Sequence, residues 1–378
     1  MPSDRPHHLH SLDVARGVAA FAVVFWHWQQ FFYVGLDQDA GFRSDLQPLF
    51  RVFRPFYLHG HEAVSLFFSL SGFIFFWLFA HEISAGSLTL RTFFLRRFSR
   101  LYPLHFVTLV VVAVAQPIYR VLHGSFFVYA WNNPPHFVLQ MLMLSTIGRD
   151  TGLSFNGPSW SVSLEMILYA IFFLSCAMLK ARWLPMSLIA VSGYLILGQC
   201  RPSFGSAVGA FFIGGCLSLL YTAITSNPKR GRHLILLMIC ALATCIALVS
   251  VFGTPTEIVQ GVVRPGDAPD VLTVVIFPCC ILTLALAEFR WPAVFARVAR
   301  ATRLGELSYS VYLIHFPLQL VVMILLGRLG IDARIFYSPL SLVAFFTILI
   351  GLGLLSHYRF EMPMQLWLRK RRGATRGG

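Results

Sequence analysis

Charge is scarce in this chain, and negative charge scarcest of all. Only 12% of its 378 residues are Asp, Glu, Lys or Arg, and the 16 acids face 30 bases. Hydrophobic residues make up 57%, and the mean hydropathy is +0.69. A water-soluble domain cannot hide that much apolar surface, so the soluble classes are excluded and an all-α, polytopic membrane bundle is expected. Cysteine is sparse too. Cys176, Cys200, Cys216, Cys240, Cys245, Cys279 and Cys280 lie in or beside apolar segments and form no C-x-x-C pair, which assigns them to packing rather than to redox or metal chemistry. No internal repeat is visible, and no Pro/Gly/Ser linker is long enough to separate domains. The expectation is a single transmembrane domain over residues 1–360 with a basic cytoplasmic tail over 361–378. The first apolar stretch is too long for a signal-peptide core and lacks an A-x-A cleavage site, so it is read as a retained helix.

What is abundant is the long apolar run. About 20 residues at about 1.5 Å each cover a bilayer core, and ten segments meet or approach that length. They are Leu12–Val34, Ala63–Ala80, Leu101–Tyr119, Trp160–Leu179, Trp183–Leu197, Gly205–Ala223, Leu234–Phe252, Val271–Ala287, Ser308–Leu326 and Leu340–Ser356. Phe137–Ile147 is apolar but too short to cross, and is read as interfacial or re-entrant. The 36 Phe and 8 Trp suit a membrane, with Trp falling mostly near the ends of spans. With the N-terminus in the cytoplasm, every inside segment is basic. These segments hold Arg91, Arg96, Arg97 and Arg100; Lys180 and Arg182; Lys229, Arg230 and Arg232; the run from Arg290 to Arg303; and the tail from Arg369. That is the positive-inside pattern, and it places both termini in the cytoplasm with an even number of spans. The net charge of +14 is then topological, and nucleic acid is not expected as a partner.

Within these spans a few polar groups stand out. Arg16 and His27 share the first span, and eleven residues make about three helical turns, so both fall on one stripe roughly 16 Å apart. Ionisable groups inside a membrane segment are costly and point to a polar pathway. The alternative is a positive-inside anchor and a hydrogen-bonded core histidine. Glu165 lies inside the fourth span with Ser161 and Tyr169 four residues to either side. Approached from opposite directions, His27 and Glu165 reach the same depth, so a His–carboxylate contact is expected to orient the imidazole as a base. The bland alternative has Glu165 bonding only Ser161 and Tyr169. In the second span, FFSLSGF brings Ser69, Ser71 and Gly72 into a Phe-rich helix and permits close backbone approach. In the ninth, Ser308, Tyr312 and His315 align at i, i+4 and i+7, lining a cavity or serving the core. Arg96, Arg97 and Arg100 stand at a cytoplasmic helix start, where forked guanidinium groups suit phosphates, though topology alone also calls for arginine there.

R-x10-H in the first span, FFSLSGF, RRFSRLYP, WSVSLE, SYSVYLIHFPL and the closing SHYRFEMPMQLWLRKR occur in this order along the chain. The series resembles the acyltransferase-3 family of bacterial integral-membrane O-acyltransferases, across essentially the whole sequence. Two departures touch substrate details. His105 follows the arginine block where a bulky aromatic or aliphatic residue is usual, and Ala63 and Ser65 stand where Gly and a polar or acidic residue are frequent. The resemblance implies transfer of an acyl group, usually acetyl, from cytoplasmic acyl-CoA to a hydroxyl of a carbohydrate or lipid-linked glycan. O-antigen, exopolysaccharide, peptidoglycan and macrolide-type metabolites are acceptors of such enzymes. It implies a multi-pass protein of the bacterial inner membrane, with acyl-CoA as a substrate and no bound cofactor or metal. It also implies that Arg16, His27 and Glu165 are catalytic and that Arg96, Arg97 and Arg100 hold the donor. Ser71, Trp160, Ser161, Tyr312 and His315 are expected to line the substrate cavity. The same intramembrane residues also fit a second reading, a proton-coupled exporter of glycan precursors with His27, Glu165 and His315 as relay. The arginine block and the lack of repeated halves speak against it.

Overall fold

The computed structural model describes residues 8–146, 152–197, 201–226, 272–298 and 302–370, with isolated positions at 235, 238, 239 and 242. Apart from those four positions, the expected span Leu234–Phe252 lies outside the described residues, as do the basic loop at Lys229–Arg232 and Cys200, Cys240 and Cys245. The chain is built from thirteen described α-helices: α1 His10–His27, α2 Phe50–His59, α3 Ala63–Ser84, α4 Leu90–His123, α5 Pro134–Met141, α6 Trp160–Leu179, α7 Trp183–Ser192, α8 Pro202–Thr225, α9 Phe277–Arg290, α10 Pro292–Val298, α11 Thr302–Leu329, α12 Pro339–Ser356 and α13 Met362–Lys370. Strand structure among the described residues is one two-residue ribbon, Tyr33–Val34 against Asp37–Gln38.

Among the described residues, seven helical segments are long and apolar enough to cross a membrane, so the protein is a multi-pass integral membrane protein. They cover seven of the ten expected spans. Of the other three, Leu234–Phe252 is, but for those four positions, outside the described residues, and Trp183–Leu197 is a shorter apolar helix whose last turn, Gly193–Leu197, widens to π geometry. The third, Leu12–Val34, is not one continuous α-helix. The α-helix stops at His27 and the chain tightens into a 3-10 segment, Trp28–Phe32, before the ribbon. Hydropathy registers the apolar run but not the change of helix type, and the two glutamines in WQQFF mark where it falls. Of the expected interfacial stretch Phe137–Ile147, the first five residues close the eight-residue α5, which is about 12 Å long and too short to cross, and Ile147 lies outside the described residues.

The chain divides into two compact units. One comprises Met1–Ala19, Glu62–Leu90 and Leu168–Gly305; the other Ala20–His61, Arg91–Ile167 and Glu306–Gly378. In the first unit α3 and α8 cross at backbone contact. A methyl group on Gly72 would stand 1.8 Å from the Phe211 carbonyl oxygen, and one on Gly214 would stand 2.0 Å from that of Ser69. Nothing larger than hydrogen fits at either position, which is the use foreseen for Gly72 in FFSLSGF. The crossing adjoins a core of Leu12, Leu70, Phe73, Tyr221, Ile281 and Leu286. In the same unit the carboxylate of Glu288 caps α1. It accepts from the backbone N–H of His10 (2.9 Å) and Ser11 (2.8 Å) and from the Ser11 hydroxyl (2.6 Å), taking donors that the first turn of a helix otherwise leaves open.

The second unit is organised around the segment that follows α1. Trp28 donates from Nε1 to the Phe336 carbonyl (3.0 Å), Phe31 stacks on Phe336 with ring centres 3.7 Å apart, and Phe345 meets both Trp28 and Phe31 edge-on. Trp28 and Phe31 are fully buried. This aromatic cluster fixes the 3-10 segment immediately beyond His27. The loop after α4 is held just as firmly, because the Gln116 amide exchanges two hydrogen bonds with the backbone of Phe127 (3.0 and 2.9 Å).

Candidate active site

His27 is the last residue of α1 and is 7% exposed. Its Nδ1 lies 2.9 Å from the Val23 carbonyl one turn back. A carbonyl can only accept, so Nδ1 carries the proton and the lone pair resides on Nε2. No hydrogen-bond partner among the described residues occupies that second nitrogen. The carbonyl of His27, beyond the reach of a further α-turn, accepts from Gln319 Nε2 on α11 at 3.0 Å. Ring and backbone of His27 are thus both held, with the basic nitrogen left over.

The wall facing His27 comes from α11. The His315 ring lies 4.8 Å from the His27 ring, centre to centre, and its own Nδ1 is tied to the Tyr312 carbonyl. His315 is fully buried and its Nε2 has no partner among the described residues. Tyr312 donates its phenolic proton to the Pro158 carbonyl (2.6 Å), which leaves the phenolic oxygen to accept from the Ser161 hydroxyl at 2.7 Å. One residue along, Pro317 leaves the Leu313 carbonyl without the helical N–H it would otherwise receive. Asn156 Nδ2 supplies the missing donor at 3.1 Å. These bonds fasten the turn Gly157–Ser159, and with it the start of α6, to the middle of α11.

Of the residues expected from sequence, His27, His315, Tyr312 and Ser161 are brought together in this unit. Trp160 stands half-buried beside Ser161 at the start of α6. Glu165 lies one turn further along α6 and is half-buried. The bond that orients the His27 imidazole is to the Val23 carbonyl. Because α1 ends at His27, its ring can fold back on that helix's own last turn. Arg16 and Ser71 belong to the other unit. Arg16 lies 3.8 Å from Asp13 across one turn of α1, and Asp13 is met from its other side by His8 at 3.0 Å. Ser71 is half-buried on α3. At the start of α4, Arg96 is exposed, Arg97 lies with its guanidinium 5.9 Å from the Phe93 ring centre, and Arg100 is half-buried.

Several polar groups of the site escape sequence reasoning. Gln319 continues the Ser308–Tyr312–His315 stripe by one further turn and was legible there. Gln30, Tyr129 and Asn156 had no periodic signal. Gln30 Nε2 donates to the Tyr129 hydroxyl at 3.2 Å, and burial raises that phenol's pKa, keeping it protonated. The Oε1 atoms of Gln30 and Gln319, Asn156 Oδ1 and His315 Nε2 are buried acceptors with no donor among the described residues. For Gln319 and Asn156 the amide orientation is set, because the NH2 of each faces a carbonyl. Such a set can receive hydroxyl or amide hydrogens, while the free nitrogen of His27 can withdraw one.

A family model described as an acyltransferase domain matches residues 9–357, nearly the whole chain. "Acyltransferase MdmB" of Streptomyces mycarofaciens is 29% identical over 332 residues, covering 82% of this chain and 78% of that protein. "Protein 2 in picA locus" of Rhizobium radiobacter is 28% identical over 199 residues, covering 48% of this chain and 86% of its own length. No solved structure matches.

Proposed function

The chain belongs to the acyltransferase-3 family and is an acyltransferase; from that premise we propose that it moves an acetyl group from cytoplasmic acetyl-CoA to a hydroxyl of a carbohydrate or lipid-linked glycan, in the bacterial inner membrane, with His27 at the reacting centre. The observation that supports this reading is the tautomer of His27: with Nδ1–H given to Val23, Nε2 is a base with nothing bonded to it among the described residues. It takes the acceptor's hydroxyl proton as the oxygen attacks the thioester carbonyl. When the tetrahedral intermediate collapses, the imidazolium returns that proton to the departing CoA sulfur, and the ester is released with His27 restored. The neighbouring acceptors on Gln30, Asn156, Gln319 and His315 suit the remaining hydroxyls of a polyol. The Tyr312–Ser161 pair holds the start of α6 against α11, and Arg96, Arg97 and Arg100 bind the donor's phosphates. The alternative use of the same nitrogen is as a carrier, in which Nε2 attacks the thioester itself and an acyl-imidazole passes the group on.

The test is acetyl-CoA turnover by the purified protein in liposomes, followed as free thiol with a panel of sugar acceptors. A positioned base contributes about 10²–10⁴-fold, so His27→Ala lowers turnover by at least about 100-fold while the protein stays folded. Wild-type turnover in that variant overturns the role given to His27. No thiol release by folded wild type with any donor, together with acceptor flux across the vesicle, overturns the reaction in favour of a transporter. Labelling of wild type by radioactive acetyl-CoA without acceptor identifies the carrier route.

A further inference from the structure

The arginines at the start of α4 are not alone. Arg369, near the end of α13, lays its guanidinium across the same turn: Nε donates to the Ser99 hydroxyl at 3.2 Å and Nη2 to the Arg96 carbonyl at 3.4 Å. Ser99 is fully buried and passes its own proton to that same carbonyl (3.2 Å), so the seat for Arg369 is built into α4. Ser99 lies between Arg96 and Arg100 in the sequence, so its hydroxyl sets the Arg369 guanidinium on the turn that carries both. Three like charges are thereby crowded together, and no carboxylate among the described residues pairs with any of them. Glu361, the carboxylate just before α13, is engaged elsewhere: it accepts from Ser310 (2.6 Å) and Ser356 (2.7 Å). Hydrogen bonds that hold a cation beside two others work against Coulomb repulsion unless an anion joins them.

We propose that Arg369, Arg96 and Arg100 form one phosphate seat, with Arg369 as a donor-binding residue brought in by the C-terminal helix. Guanidinium forks match phosphate oxygens, and Arg369 still has unengaged N–H groups to offer after its two bonds to α4. The occupant is the phosphate-bearing end of acyl-CoA, an assignment that rests on the transferase reading above. A phospholipid headgroup shares the same chemistry and is separated by experiment.

Full-length protein is placed in nanodiscs of zwitterionic phosphatidylcholine, and parallel samples are placed in discs containing phosphatidylglycerol. CoA binding is titrated for wild type, Arg369→Ala, Arg369→Lys and Ser99→Ala, each checked for monodispersity and helical content. Loss of one charge-assisted contact at a partly solvated site weakens CoA about tenfold in Arg369→Ala. Arg369→Lys recovers part of that loss, and Ser99→Ala weakens binding by a smaller factor through the lost anchor. Equal CoA affinity in wild type and Arg369→Ala, in folded protein, overturns the proposal alone. Unchanged CoA affinity together with reduced phosphatidylglycerol retention in Arg369→Ala overturns the donor assignment in favour of lipid. A wild type that binds no CoA in either disc overturns the transferase reading and this inference with it.

Discussion

An imidazole is a useful base at neutral pH only when one nitrogen keeps its lone pair and the ring cannot turn away from its task. Val23 supplies the first condition for His27 and Gln319 contributes to the second, since it grips the His27 carbonyl and so fixes the backbone from which the ring projects. Replacing Gln319 by Leu removes that grip and leaves a buried carbonyl without its donor, a loss worth about 1 kcal/mol. The expected result is a fall in kcat of roughly fivefold with KM for the donor unchanged, read in a steady-state thiol-release assay. An increase in KM alone would assign Gln319 to donor binding instead. At this scale the sequence was partly readable. His27, His315 and Tyr312 announce themselves as polar residues at helical spacing in apolar runs. Asn156 and Tyr129 sit in irregular segments, where no periodicity tells a site residue from a turn residue, and the contact that orients His27 is made by main chain and is invisible to any pattern of side chains.

Elements in this protein meet where bulk has been removed. Gly72 and Gly214 each face a carbonyl oxygen of the opposite helix, so adding one carbon at either position forces α3 and α8 apart. Gly72→Ala is expected to cost about 1–3 kcal/mol and to lower the apparent melting temperature of detergent-solubilised protein. A thermal shift indistinguishable from wild type would mean that the crossing is looser than drawn. The role of Gly72 was readable because a glycine in a Phe-rich span has few other uses. The end of α1 was not, since an α-helix and a 3-10 helix of the same composition have the same hydropathy. The tighter form rises about 2 Å per residue, so Trp28–Phe32 carries the chain about 10 Å beyond His27, and the depth inferred for the histidine from a continuous helix changes little.

For the molecule as a whole, the distribution of arginine along the sequence predicts the orientation, with the basic segments and both termini on the cytoplasmic side. With both termini on the basic side, alkaline phosphatase fused after the last residue is expected to be inactive in a bacterial host, and a cytoplasm-dependent fluorescent fusion bright. Active phosphatase would require an odd number of crossings. The membrane class and most spans follow from composition and run length, because burying backbone in lipid admits few architectures. The division into two compact units was not legible. Their boundaries fall inside α1, α6 and α11, at the first residue of α4 and in the 3-10 turn Gly60–Glu62, so no linker in the sequence marks them.

The cap that Glu288 places on α1 has a consequence for how the chain is made. Ser11 and the carboxylate that satisfies it are 277 residues apart. At roughly 5–20 residues per second of synthesis, the first helix waits roughly 15–55 s for its cap to be translated. Through that interval the leading turn of α1 has only water, lipid headgroups or the insertion machinery to receive its N–H groups. The helix that carries both Arg16 and His27 is therefore among the first to be made and is finished only late, and its final placement reports that roughly three-quarters of the chain has been translated.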